Sequence, residues 1–331
     1  MLIDSRVYVA SFDLHGTDEN IVKVTRQFSL KDSLSNPSKE VDIIEVFHCD
    51  GFLLCITKDN MLVVWNPCSG ETKWMIKPEA SYKNYCFYAL GKSSCNKYKI
   101  LRVDQHGIGF YHQSLVEFEI YDFTSNSWRS VGNTRDWAIQ GLHRRGMSVN
   151  GNTYWIAFNF SHQATPMRRK FLLSFDFSTE RFASVPLPFD PSHERVMALS
   201  VTREEQKLCL LASRGKEGYD EFDIDVWMAT KIESTGAMSW SKFITVEEAV
   251  YRQLFYFCNG MNFLADTEKK VLVCPGTHGN SKKFLHIVGD DKCIQVDGQE
   301  YEGSLLVNYV PTLVQIEQGT LGVGARKAPI T

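Results

Sequence analysis

Histidines and cysteines are the side chains here most able to hold a metal or attack a carbon centre, so their spacing is the first test for chemistry. His106 and His112 stand six residues apart, and His143, His162, His193, His278 and His286 are scattered along the chain. No H-E-x-x-H run and no Cys/His cluster joins them, so they read as solvated or lightly buried residues, with no metal site. Cys49, Cys55, Cys68, Cys86, Cys95, Cys209, Cys258, Cys274 and Cys293 form no C-x-x-C pair, and several sit in apolar runs as small core residues do. They read as reduced thiols of a cytoplasmic or nuclear protein. A phosphate loop G-x-x-x-x-G-K-[ST] is absent, and Gly107-Ile108-Gly109 lacks the third glycine of a dinucleotide fingerprint. No G-x-S-x-G elbow presents a serine nucleophile. The sequence therefore assigns no catalytic, cofactor-binding or metal-binding residue, and no enzyme is expected.

Charged runs remain as recognition candidates. Arg144-Arg145 and Arg168-Arg169-Lys170 are placed to flank one loop edge, and Glu217 to Asp225 gathers acids around Tyr219 and Phe222. Their default reading is a solvated loop face. Gathered on one side of a fold, however, Arg and aromatic residues are the usual anchors of a protein-binding surface. The residues of such a surface are unknown from sequence.

The elements that must position these groups are strands. Val116, Phe118 and Ile120 alternate with Glu117 and Glu119; Phe171, Leu173, Phe175 and Phe177 share one side; Ile224, Val226 and Met228 alternate with Asp223 and Asp225. A period of two buries one face of a strand. With 331 residues, 44% hydrophobic and 12% aromatic, the chain has ample material for a core, and 36 Lys+Arg against 39 Asp+Glu leaves a net charge of −3. That balance disfavours nucleic-acid coating. No apolar run reaches the roughly 18 residues of a membrane helix. The opening residues, with Asp4 and no apolar stretch behind it, do not read as a secretory signal.

Turn signals recur at a fixed rhythm. Asp50-Gly51, Ser94-Cys95-Asn96, Asn150-Gly151, Glu204-Glu205 and Asn259-Gly260 fall about 45 to 55 residues apart, the period of a kelch-type blade. A second marker keeps step, an aromatic strand end, a polar turn and another aromatic: Trp65-Asn66-Pro67 to Trp74, Tyr121-Asp122-Phe123 to Trp128, Phe175-Asp176-Phe177 to Phe182, and more loosely Trp227 to Trp240. Each unit holds about four strands, in the first case Ile43 to Phe47, Phe52 to Ile56, Met61 to Trp65 and Lys73 to Lys77. Such units, repeated radially, make a β-propeller, with the aromatics as spacers between blades. Five units occupy Val41 to Val288. Strand-like pieces at Val7 to Phe12, Ile21 to Phe28 and Leu305 to Val310 are expected to close the ring as a mixed last blade, removing free sheet edges. The expectation is an all-β, kelch-like propeller of about six four-stranded blades over residues 1–318, followed by a flexible tail at 319–331. Gly151→Val is expected to disturb a turn that needs positive φ, and Trp128→Ala to open a cavity between blades.

Seven segments taken together resemble one family. They are Val46–Cys55 (VFHCDGFLLC), Leu62–Cys68 (LVVWNPC), Tyr98–Arg102 (YKILR), Phe118–Phe123 (FEIYDF), Asn150–Ala157 (NGNTYWIA), Leu172–Phe177 (LLSFDF) and Tyr309–Ile316 (YVPTLVQI). In this order, over roughly Val7 to Ile316, they are similar to the type 1 F-box-associated domain of plant F-box and F-box/kelch proteins. The resemblance implies the substrate-recognition part of a cullin-based (SCF-type) ubiquitin ligase, which binds a protein and does no covalent chemistry itself. In that family an N-terminal F-box docks on the ligase adaptor. Met1 to Asn36 shows no Leu-Pro-x-[DE]-Leu opening, and Val7 to His15 resembles the segment just after the F-box in relatives, so adaptor docking is expected only where an F-box is supplied. The rival readings are a propeller that binds or modifies a small molecule or glycan at its channel mouth, and a relic without function.

Overall fold

The computed structural model describes residues 1–12, 22–32, 36–75, 86–106, 115–139, 143–159, 170–190, 194–202, 207–215, 222–232, 238–246, 263–278, 282–289, 293–297 and 309–316. All regular elements among them are strands, paired antiparallel. An N-terminal sheet holds β1 (Leu2–Ile3), β2 (Arg6–Phe12) and β3 (Val22–Phe28), and a short ribbon, β4 (Lys31–Asp32) and β5 (Asn36–Glu40), comes after it. Blade I is β6 (Ile43–Cys49), β7 (Phe52–Thr57), β8 (Leu62–Trp65) and β9 (Thr72–Met75). Blade II is β10 (Cys86–Lys92), β11 (Tyr98–His106), β12 (Leu115–Asp122) and β13 (Ser127–Thr134). Blade III has β14 (Trp137–Ala138), β15 (Met147–Val149), β16 (Asn152–Asn159), β17 (Lys170–Asp176) and β18 (Arg181–Val185); both β14 and β15 pair with β16. Blade IV is β19 (Glu194–Val201), β20 (Leu208–Gly215), β21 (Phe222–Ile232) and β22 (Met238–Val246). Blade V is β23 (Leu264–Asp266), β24 (Val271–His278), β25 (Lys282–Val288) and β26 (Cys293–Asp297).

These sheets form a six-bladed propeller, and the core lies between them. One apolar cluster joins blades I and II through Phe47, Phe52, Tyr88, Ile100 and Phe123; another joins II and III through Phe87, Val103, Trp155 and Phe175. Further clusters join III to IV and IV to V. The N-terminal sheet is the sixth blade. Leu2 and Val7 pack with Val41, Val46 and Val63 of the blade I side, while Met1 packs on Val273, Leu285 and Ile287 of blade V. Each cluster removes apolar side chains from water at about 25 cal/mol per Å2, so the ring is held by its seams as much as by its ladders.

Local chemistry explains the repeated markers. Asp50-Gly51 and Asn150-Gly151 both carry two positive φ angles, 49° and 84° in the first and 52° and 81° in the second, the tight hairpin that matches strand twist. Asn66, Asp122 and Asp176 each turn the chain with their side-chain Oδ1, which accepts the backbone N–H of Cys68 (3.0 Å), Thr124 (2.7 Å) and Ser178 (2.7 Å). Each of these turns ends on a positive-φ residue, Gly70, Asn126 or Glu180, whose N–H returns to the carbonyl of the Asx residue. The next aromatic then plugs the preceding blade. Phe177 fills the space beside Gly91 of blade II, where a Cβ would come within 2.0 Å of its ring, and Phe123 joins the blade I cluster. The expected spacer role of the aromatics holds. Trp128 is half-buried, lying 5.3 Å from the Tyr121 ring and 6.3 Å from Tyr88, so it caps the seam between blades I and II rather than filling it.

Two expected turns, Glu204-Glu205 and Asn259-Gly260, lie outside the described residues, as does most of the expected strand at 305–310. Its described end, Tyr309 and Val310, belongs to no ladder. Residues 309–316 instead run along the turns of blade I. Asn66 Nδ2 donates to Thr312 O (3.1 Å) and Val314 O (3.0 Å), Ile316 N donates to Glu71 Oε2 (3.0 Å), and Tyr309 packs on Phe28 and His48.

Candidate functional site

In blades I to IV the two ends of the strands differ. One end carries the short turns 50–51, 66–71, 93–97, 123–126, 150–151 and 177–180. The other end carries most of the long connections: 76–85, 107–114, 160–169, 186–193, 216–221 and 247–263. Ionisable groups collect just inside this second end.

Blade II presents a ladder of charge there. Arg102 is 3% exposed and donates to Glu119 Oε2 (2.6 Å) on the paired strand β12 and to Asp104 Oδ2 (3.0 Å) on its own strand, and His106 lies 2.7 Å from Glu117. Blade IV repeats the device: Asp225, fully buried, accepts from Lys242 Nζ (2.7 Å) and Thr245 Oγ1 (2.6 Å), with Arg214 at 3.9 Å. Beside it, burial first and the Asp225 charge second raise the Glu194 carboxyl above its usual range, against the pull of Lys242 and Arg214. The expectation of a solvated acidic face at Glu217 to Asp225 is corrected for Asp223 and Asp225, which are buried because this part of β21 is enclosed on both faces, with Ile224 and Val226 buried on the other side. Glu217 to Glu221, including Tyr219, lie outside the described residues, and Phe222 is placed only as the first residue of β21.

A third group sits at the axial edge. Arg144 Nη2 reaches from blade III to Glu45 Oε1 of blade I at 3.0 Å. Lys170 Nζ donates to Val196 O (3.0 Å) and lies 3.2 Å from His143 Nε2. His143 is 5% exposed, and burial, followed by the Lys170 charge, pushes its pKa down to about 3, so it is neutral and accepts from the ammonium. Burial also lowers the Arg145 pKa; Glu45 opposes that shift and Arg144 adds to it. Of the second basic run only Lys170 is described, and it meets His143, the residue before Arg144; Arg168 and Arg169 lie outside the described residues. Contrary to the default of solvated loops, Arg144 and Arg145 are half-buried.

Other expectations are corrected or confined. His143 and His286, read as lightly buried, are both deep in the fold because their strands and seams enclose them; His112, His162 and His193 lie outside the described residues, and of His278 only its place in β24 is known. Among the described residues no group of three His, Cys, Asp or Glu is arranged to hold a metal. Cys49, Cys55 and Cys209 are buried, which raises their thiol pKa values, Cys49 and Cys209 to about 12, so none is poised as a nucleophile. On the outer side, a groove of about 530 Å3 between blades II and III has a floor of Phe118, Trp137 and Phe182; its one carboxylate, Glu180, is already shared by Lys99 and Arg129. Sequence reading missed Glu45, Glu194 and Gln105. Glu45 and Glu194 are the single acids of their strands and Gln105 sits between Asp104 and His106, and no local pattern marks a residue whose partner lies in another blade or on another strand.

Comparison with known proteins decides the family. The model of the F-box associated beta propeller domain matches residues 1–316. The chain belongs to the F-box associated beta propeller family. Relatives from Arabidopsis thaliana are similar over nearly their whole shared length. The chain is 54% identical to putative F-box protein At4g10190 over 321 residues, covering 96% of this chain and 84% of that protein. It is 49% identical to putative F-box protein At3g21120, covering 96% and 85%, and 38% identical to putative F-box/kelch-repeat protein At3g17540, covering 94% and 79%. The long-connection end with its ionic ladders is the candidate functional surface of this propeller.

Proposed function

We propose that this propeller selects a protein for ubiquitination, as the substrate-recognition part of a cullin-based ligase, and performs no covalent chemistry itself. The observation that carries the reading is family membership over residues 1–316 together with relatives named as F-box proteins. The distribution of chemistry agrees with it. Ionisable groups at the long-connection end are engaged in ion pairs and hydrogen bonds suited to a stable receptor surface, rather than arranged as a nucleophile with its base. Buried thiols of Cys49, Cys55 and Cys209 fit a reducing compartment, the cytoplasm or nucleus. Contact with the ligase adaptor falls to an F-box joined to the propeller.

The test is expression of the tagged full chain in plant cells, with quantitative comparison of ubiquitinated proteins. The expected result is a bound protein whose ubiquitination rises with the level of the chain joined to an F-box and returns to baseline when the cullin ligase is inhibited. If no bound protein changes in ubiquitination or abundance under either condition, the reading fails.

A further inference from the structure

Blade III builds its innermost strand differently from its neighbours. In blade II β10 runs unbroken along β11, and in blade IV β19 follows β20 with a single bulge between Val196 and Ala198. In blade III the chain pairs with β16 through Trp137 and Ala138, leaves the ladder, and rejoins it at Met147. The excursion is fastened where it is described. Gln105 of blade II clasps Ile139 twice, accepting from its N–H (2.8 Å) and donating to its carbonyl (2.9 Å). Trp155 Nε1 donates to Arg144 O (3.3 Å), and Gly146 lies so close to Thr153 and Trp155 that a Cβ would come within 2.6 Å of both. Buried His143 anchors the near side. Two consecutive arginines are thus presented at the axial edge on a backbone held before, between and after them. Holding the donors in place beforehand lowers the ordering cost of binding.

The charge at this edge is uneven. Arg144 and Arg145 share one carboxylate, Glu45, which Arg144 holds at 3.0 Å. Lys170 meets neutral acceptors there, the His143 ring and the Val196 carbonyl. In sequence, Arg168 and Arg169 directly precede Lys170, in a chain whose net charge is −3. Guanidinium forks suit carboxylates and phosphates, which accept two parallel N–H bonds.

We propose that Arg144 and Arg145 grip an anionic group, a carboxylate or a phosphate, on a segment of the selected protein, with Glu45 occupying Arg144 until that group arrives. This inference deepens the substrate-recognition reading and rests on it. Lys170 adds charge without direct contact, because its ammonium is already bonded to the wall.

The experiment measures binding of the full chain to three peptide pools with randomised neutral flanks and a fixed central phosphoserine, glutamate or serine. The phosphoserine pool, the glutamate pool or both are expected to bind about tenfold tighter than the serine pool, the size of one or two charge-assisted hydrogen bonds. Preference for phosphoserine alone assigns a phosphate, and equal preference for both anions assigns any carboxylate or phosphate. Arg145→Gln is expected to abolish the preference, Arg145→Lys to reduce it, and Glu45→Gln to strengthen it by freeing Arg144. Melting curves identify any variant that fails to fold, and Arg145→Lys then carries the test. Equal binding of the three pools, or an unchanged preference in both Arg145 variants, overturns the proposal. Anion preference without any protein whose ubiquitination tracks the chain would sink the recognition reading and leave the anion site standing. A ubiquitinated partner bound equally well by both Arg145 variants would do the reverse.

Discussion

The two ends of the blades teach different lessons. At the short-turn end, polar groups are paired across blade boundaries: Lys99 of blade II bonds Glu180 of blade III (2.8 Å), Ser94 N donates to Ser178 Oγ (2.7 Å), and Lys92 N donates to Gly151 O (2.9 Å). At the other end, buried Asp104 Oδ1, Glu194 Oε2 and Ser213 Oγ have no hydrogen-bond partner among the described residues. A buried polar atom left unpaired costs about 1–3 kcal/mol. Both ends are tied across blades, but the long-connection end buries three such unpaired atoms, against Thr153 Oγ1 beside the 150–151 turn at the short-turn end. Substitutions at the first end should register in stability, and those at the second mainly in binding.

The largest expected loss comes from Gly151→Val at the short-turn end. A Cβ at Gly151, with φ at +81°, would lie 2.5 Å from the Lys92 carbonyl oxygen. Left-handed strain alone costs about 1–2 kcal/mol; with the clash and a weakened bond from Lys92 N, chemical denaturation should show a loss of about 3 kcal/mol or more. Asn66→Ala comes next. Asn66 is fully buried, and its removal leaves the Thr312 and Val314 carbonyls without a donor, so a loss of about 2–3 kcal/mol and faster proteolysis near residue 312 are expected. Trp128→Ala should cost about 2 kcal/mol, below the 3–5 kcal/mol of a fully enclosed aromatic, because its ring is only partly enclosed. A loss equal to that of Gly151→Val would mean that the seam between blades I and II depends on this cap.

Acid should weaken both ends through buried histidines. At the short-turn end, His48 Nε2 accepts from Gly51 N (3.0 Å), and burial lowers its pKa to about 4 despite the nearby Asp50 and the Val310 carbonyl. At the long-connection end, His143 is lowered to about 3. Each stays neutral in the fold while the unfolded chain takes up a proton below 6.5, so stability is full above that value and falls as the pH drops toward 4 or 3. The loss from pH 7 to pH 5 is about 2 kcal/mol at most for each ring, and His143→Gln should remove its share in denaturation curves at the two pH values. The smallest effect belongs to Glu194→Gln. It removes repulsion from Asp225 and should change stability by about 0.5 kcal/mol or less. A large loss there would erase the distinction between the ends.

Much of the ring was legible in the chain itself. Asp50-Gly51 and Asn150-Gly151 announce hairpins because few residues accept two positive φ angles, and Asn66, Asp122 and Asp176 announce turns because a short acceptor can reach the N–H two residues on. The axial site was only half legible. Arg144 and Arg145 stood out as charge, but nothing near them in sequence foretold half-burial, the break between β14 and β15, or Glu45 as the partner.

What the sequence determined by itself was therefore periodic and local: strands, turns, the spacing of blades and the aromatics that plug their seams. Those features rest on φ preferences, alternation of apolar residues and contacts within a few positions. What only the tertiary structure decided was the meeting of distant residues: Met1 on Val273 of blade V, Asn66 on Thr312, and Arg144 across to Glu45. Closing a ring brings together residues far apart along the chain, and a charge is stabilised or stranded by the partners and solvent it finds there, which no local pattern records.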